Sequence, residues 1–111
     1  MNGAENNRMP LACNTGVFSA RQQSRHRELV ASLHGRVYAV EELPDGYAFR
    51  FSSETEVCQD VMEFANLERL CCPFLEFRLE VAPNQETLSL SLTGPPGAKE
   101  IVAKFLWCAP L

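Results

Sequence analysis

The chain has 111 residues, of which 46% are hydrophobic and 22% are charged, an ordinary composition for a single globular domain. Its 14 acidic and 10 basic side chains give a net charge of -4, which argues against nucleic acid as the main partner. No apolar run is long enough to span a bilayer and the polar start lacks a secretory signal, so we expect a cytoplasmic protein with no membrane partner.

The N-terminal part divides into a polar lead-in, an irregular stretch and a helix. Residues 1–10 are polar and aperiodic and predict a flexible lead-in, which leaves 11–111 as a single domain. After the irregular stretch 11–18, Ser19 and Gln22 form a capping-box pattern and Gly35 is a suitable stop. We therefore predict a helix over 20–34, with Leu29 and Leu33 on its apolar side and His26 on the same side.

The next segment, 37–70, has the pattern of a hairpin followed by a helix. Strand-like runs over 37–42 and 47–51 flank the turn residues 44–46. Ser53 and Glu56 form a second capping-box pattern, which predicts a helix capped by Ser53 and running to about Leu70. Pro73 ends it.

The segment 74–107 repeats the same order of elements. Apolar and polar residues alternate over 75–81 and 88–92, and a last helix starts near Ala98. Two hairpin-helix units predict an α+β fold, with a four-stranded antiparallel sheet, helices on one face and the N-terminal helix added to it. The mixed, small residues of the other face also suit a symmetric sheet-to-sheet homodimer.

The second predicted helix places a carboxylate and two thiols on its apolar side. At about 100° per residue, one stripe contains Val57, Val61, Phe64, Glu68, Cys71 and Cys72. Glu68 lies near its centre, where burial of a charge costs several kcal/mol unless a partner compensates it. Arg25 or His26 could supply that partner. The stripe predicts a functional site rather than simple packing.

The cysteines lack the spacing of a disulfide framework. Their number is odd and none forms a CxxC pair, so in a reducing compartment we expect reduced cysteines that are free thiols, ligands or redox groups. Strain disfavours a disulfide between the neighbours Cys71 and Cys72. Cys58 and Cys108 lie at the margin of the stripe and near the terminus. We interpret these two as structural or incidental.

Three stretches resemble a family of small bacterial proteins of about this length that has no established function. They are LPDGYAFRF over 43–51, LERLCCPFLEF over 67–77 and LTGP over 92–95. The resemblance covers the chain from about Ala12 onward. It implies a free-standing cytoplasmic domain whose shared motif includes the positions of Cys13, Arg25, His26, Glu68, Cys71 and Cys72, but it supplies no reaction.

The leading functional hypothesis is a site for a soft metal or metalloid ion, zinc for example. Cys13 precedes the first helix, and if it meets Cys71 and Cys72, three sulfurs converge. His26 could complete a Cys3His set, or it could instead hydrogen-bond Glu68, with Glu68 and Arg25 around the ligands as neutralising or orienting groups. Adjacent cysteines are an unusual spacing for a zinc site.

Two other hypotheses stay open. In a thiol enzyme or redox sensor, Glu68 or His26 would activate Cys71 or Cys72. In a protein-protein interaction module, the cysteines would be buried packing residues. The sequence has no recognised catalytic motif, since neither a Ser/His/Asp arrangement nor a phosphate loop is visible.

Overall fold

A computed structural model describes residues 13–85 and 87–107; the predicted lead-in over 1–10 and Cys108 lie outside them. Short 3₁₀ turns occur at Thr15–Val17 and Pro83–Gln85. The longer elements are α1 (Ala20–His34), β1 (Val37–Leu43), β2 (Gly46–Phe51), α2 (Thr55–Cys71), β3 (Glu76–Val81), β4 (Leu88–Thr93) and α3 (Ala98–Ile101), which continues as a π-helical segment over Val102–Trp107.

The strands form one antiparallel sheet in the order β1-β2-β4-β3. The two hairpins meet through their second strands, so that Phe49 pairs with Leu90 and Phe51 with Leu88. Each hairpin is followed by a helix. The predicted α+β fold with two hairpin-helix units is confirmed.

One face of the sheet makes the core with the helices. Phe49, Phe51 and Leu90 are fully buried there, in the same apolar cluster as Val61 and Phe64 of α2. Strand alternation explains this division, because residues two apart share a face. The helix that carries the predicted site therefore lies directly over the central strands.

Helix α1 has the predicted bounds and the predicted cap. The Ser19 hydroxyl accepts from the Gln22 amide, and the Gln22 side chain accepts from the Ser19 amide, which completes the capping box. Leu29 and Leu33 are buried in the common core. These contacts hold α1 against α2 and bring His26 towards it.

The predicted start of α2 is wrong by one residue. Glu54 occupies the cap position instead of Ser53, with extended backbone and without a side-chain hydrogen bond to the helix. Residues 52–54 make the turn from the end of β2 to the start of α2. Capping-box residue types alone do not tell how many residues such a connection needs.

The helices cover the edge strands β1 and β3 less than the alternation of apolar and polar residues in these strands suggests. Leu79 and Val81 of β3 and Val40 of β1 carry large exposed side chains, although they share the apolar face. The helices cover the two central strands more completely than the edges. The homodimer through the opposite face stays a prediction.

Candidate metal and thiol site

Three of the predicted site residues lie at the C-terminal end of α2. Glu68 and Cys71 belong to its last turn, and Cys72 is its cap, with its amide donating to the Glu68 carbonyl at 2.8 Å. Glu68 is only 1% exposed, and both cysteines are buried. The predicted stripe is confirmed: all of its members face the interior.

Cys13 is brought to this helix end by its neighbour in the chain. The Asn14 amide donates to the Cys71 carbonyl at 2.8 Å, and the Asn14 side chain accepts from the Gly16 amide at 3.0 Å. The first bond uses a carbonyl that has no partner within the helix. The irregular segment is thereby fastened to the end of α2 with Cys13 beside Cys72.

The side chains of these residues converge. Glu68 Oε2 lies 3.1 Å from Cys72 Sγ and 3.9 Å from Cys13 Sγ, and the sulfurs of Cys71 and Cys72 are 3.7 Å apart. One ligand atom from each of the four residues lies within 4.8 Å of the others. A group of this kind could hold one metal ion.

The structure also pairs Cys13 with Cys72 at disulfide-bonding distance, their Cα atoms being 4.6 Å apart. This contradicts the prediction that all cysteines are free, which was drawn from their odd number and spacing. Pairing across 59 residues leaves no local signal in a sequence. Cys71 stays a free buried thiol, and no disulfide joins it to Cys72.

Glu68 has the histidine partner that the buried carboxylate needs. His26 Nε2 lies 2.6 Å from Glu68 Oε1, and the imidazole packs between the rings of Phe18 and Phe64. Because an ionised carboxylate only accepts hydrogen bonds, we assign Nε2 as the donor. The predicted Glu68–His26 hydrogen bond is confirmed, and Glu68 takes the fourth place in the cluster that His26 held in the Cys3His alternative.

Arg25 has other partners. Its guanidinium donates to both carboxylate oxygens of Glu63, at 2.8 and 2.9 Å, and to Asp60 at 3.4 Å. These bonds lower the pKa of Glu63 and raise that of Arg25, so both groups stay charged. Arg25 links α1 to earlier turns of α2 instead of contacting the buried carboxylate of Glu68.

A cavity of about 250 Å³ opens beside the cluster. His26 forms part of its wall and is also hydrogen-bonded to Glu68. The remaining lining residues are Thr15, Phe18, Gln23 and Arg27. Sequence reasoning missed this cavity because it depends on how the irregular segment folds against the start of α1.

Cys58 is partly buried against the core and lies outside the cluster.

Within the described part of the chain, no helix is long and apolar enough to cross a membrane. Comparisons with protein-family models, with curated proteins and with solved structures return no match. The resemblance to small bacterial proteins stays a prediction, and function has to be argued from the site itself.

Burial raises the pKa of the Cys71 thiol from its ordinary value of 9.0 to about 12, and the charge of Glu68 adds to the effect. The folded state therefore favours the protonated thiol more than the unfolded state does. This contribution to stability is fully present below pH 9.0 and is lost as the pH rises towards about 12.

We expect the free energy of unfolding of reduced wild-type protein to fall across this range more than that of Cys71→Ala. Urea denaturation at a series of pH values measures the difference. Equal pH dependence in the two proteins would contradict the raised pKa.

Proposed function

We propose that this protein binds a soft metal or metalloid ion through the thiolates of Cys13, Cys71 and Cys72. The observation that carries the proposal is the convergence of three sulfurs and one carboxylate oxygen within 4.8 Å in the protein interior. Thiolate-rich ligand sets select soft ions, whereas Mg²⁺ and Ca²⁺ prefer oxygen ligands. The three sulfurs therefore indicate a soft ion as the ligand of this site.

The spacing of the Cys71 and Cys72 sulfurs supports a single-ion site. Two sulfurs bound to one tetrahedral zinc ion at about 2.3 Å are about 3.8 Å apart. The sulfurs of Cys71 and Cys72 are 3.7 Å apart. The helix end thus overcomes the unusual adjacent spacing, since the chain leaves helical geometry at Cys72.

Glu68 is suited to be the fourth ligand. Its Oε2 lies 3.1 and 3.9 Å from the sulfurs of Cys72 and Cys13, around the distance of about 3.5 Å expected between sulfur and oxygen ligands of a tetrahedral zinc ion. Its Oε1 is bound to His26. A hydrogen bond of this kind orients a ligating carboxylate and compensates part of its charge.

The thiol-enzyme alternative has less support. A reactive cysteine needs a lowered pKa and a positive neighbour, but the pKa of Cys71 is raised and the nearest charged group is the Glu68 carboxylate. Binding of a cation reverses this disadvantage, because the ion stabilises the thiolates directly. The same surroundings that disfavour a nucleophile are compatible with a metal ligand.

The proposal is tested by titrating reduced protein with Zn(II) and Hg(II). We expect one tightly bound ion per chain in the wild type and a loss of affinity of about 100-fold or more in Cys71→Ser, because one of three thiolates is removed. Cys58→Ser is the matched control, since Cys58 lies on the same helix outside the cluster. Competition with a chromophoric chelator gives the affinities.

Equal affinity and stoichiometry in wild type, Cys71→Ser and Cys58→Ser would overturn the proposed function. Loss of binding in Cys58→Ser alone would place the ion elsewhere.

A further inference from the structure

We infer that the redox state of the Cys13–Cys72 pair controls metal binding: the disulfide form excludes the ion, and two-electron reduction opens the site. This inference rests on the proposed function and adds its regulation. The observation behind it is that Cys13 and Cys72, whose sulfurs lie at bonding distance, both belong to the four-residue group that could hold a metal.

The two states compete for the same atoms. A disulfide holds its sulfurs about 2 Å apart and leaves neither with a thiolate charge. Tetrahedral coordination needs the sulfurs about 3.8 Å apart and deprotonated. Only Cys71 and Glu68 stay available in the disulfide form, and a single thiolate beside a carboxylate is a weak site for a soft ion.

Backbone hydrogen bonds hold the segment around Cys13 in addition to the disulfide. The Asn14 amide is bound to the Cys71 carbonyl, and the Gln23 side chain donates to the Thr15 carbonyl at 3.3 Å. These bonds fasten the segment to both α1 and α2. Reduction therefore leaves Cys13 beside its partner, and conversion between the states requires movement of sulfur atoms instead of refolding.

The opening step is thiol–disulfide exchange with a dithiol reductant. The thiolate of the reductant attacks Cys13 Sγ, because Cys13 is partly exposed whereas Cys72 is fully buried. A mixed disulfide forms on Cys13 and Cys72 leaves as a thiolate. The second thiol of the reductant then attacks the reductant sulfur that is bonded to Cys13. This closes the disulfide of the reductant and releases Cys13 as a thiolate.

The exchange balances without another reactant. The reductant loses two electrons and two protons and becomes a cyclic disulfide, while Cys13 and Cys72 each gain one electron and one proton. Both protons come from the two thiols of the reductant. Subsequent ion binding releases protons from the protein thiols to solvent.

The test uses the full chain with Cys58→Ser and Cys108→Ser, which leaves only the three cysteines of the site. One sample is oxidised with diamide and another is reduced with dithiothreitol, then freed of reagent under anaerobic conditions. Peptide mapping identifies the bonded cysteines, and chelator competition measures the affinity for Zn(II) and Hg(II). A third sample is loaded with Zn(II) before diamide is added.

We expect oxidation to link Cys13 with Cys72, to weaken Zn(II) binding by about 100-fold or more and to be reversed by dithiothreitol. Zn(II) loaded beforehand should slow the formation of the disulfide. In Cys71→Ser on the same background, the disulfide should still form although the reduced protein binds Zn(II) weakly.

Two failures are distinguishable. If the reduced protein binds neither ion, the proposed function is overturned together with its regulation. If the reduced protein binds an ion and the mapped Cys13–Cys72 disulfide form binds it equally well, or if oxidation joins other cysteines, only the redox control is overturned.

Discussion

Replacement of His26 by leucine is expected to destabilise the protein by about 3 to 5 kcal/mol. Glu68 is buried, and the hydrogen bond from His26 Nε2 to its Oε1 gives the buried carboxylate a donor from the neighbouring helix. Leucine retains apolar contact with Phe18 and Phe64 but leaves the carboxylate without this donor. Urea denaturation at neutral pH measures the loss.

Arg27→Leu is the control for this variant. Arg27 follows His26 on α1 and is exposed. We expect its replacement to change stability by less than about 0.5 kcal/mol.

A double variant separates the cost of an unpaired carboxylate from the loss of the imidazole itself. When both partners of a buried polar pair are replaced by apolar groups of similar size, the change in stability is often small. We therefore expect Glu68→Leu to restore most of the stability that His26→Leu loses. If the two losses simply add, the hydrogen bond between the side chains is not the source of the effect.

Glu68→Gln is expected to weaken metal binding by about 10-fold to 100-fold while changing the stability of the metal-free protein far less than His26→Leu does. Glutamine has nearly the same size, and its carbonyl oxygen can still accept from His26. The substitution removes the negative charge and the carboxylate ligand next to Cys72 and Cys13. Affinity for Zn(II) in the reduced protein, measured by chelator competition, tests the effect.

Glu56→Gln provides the matched control on the same helix. Glu56 is exposed in the first turn of α2, several turns away from the cluster. We expect the affinity of this variant to equal that of the wild type. Unchanged affinity in Glu68→Gln as well would remove the carboxylate from the metal site and leave the three sulfurs as its only ligands.

These variants also separate the functional hypotheses. An interaction module with inert buried cysteines predicts that added metal leaves the thermal stability unchanged. A binding site predicts that the ion stabilises the folded chain by an amount that grows with the logarithm of its affinity. His26→Leu tests how much the hydrogen bond to Glu68 contributes to the stability of the fold. Glu68→Gln tests whether the carboxylate contributes to the affinity for the ion.

Much of the site could be predicted because helical periodicity is a local property. Glu68 lies four residues after Phe64, and Cys71 lies three residues after Glu68, so one turn of helix carries them to the same side. Burial of Glu68 was predicted from that relation alone. The need of a buried carboxylate for a partner then indicated Arg25 or His26, both on a helix with a capping box and well-defined ends.

Other predictions failed where the answer depended on how segments meet. The start of α2 was predicted from residue types, but the connection from β2 uses one further residue before the helix begins. Arg25 and His26 are neighbours on α1, and the packing of the two helices sends them to different acidic residues. A sequence pattern does not contain the relative rotation of two helices.

The sequence by itself determined the order of elements, the antiparallel hairpins and the inward stripe of α2, because alternation and helical period act within short segments. Only the tertiary structure decided that Cys13 meets Cys72 across 59 residues and that Glu68, not His26, completes the group of four. The physical reason is that the Asn14–Cys71 backbone hydrogen bond and the packing of α1 on α2 exist only once the chain has folded.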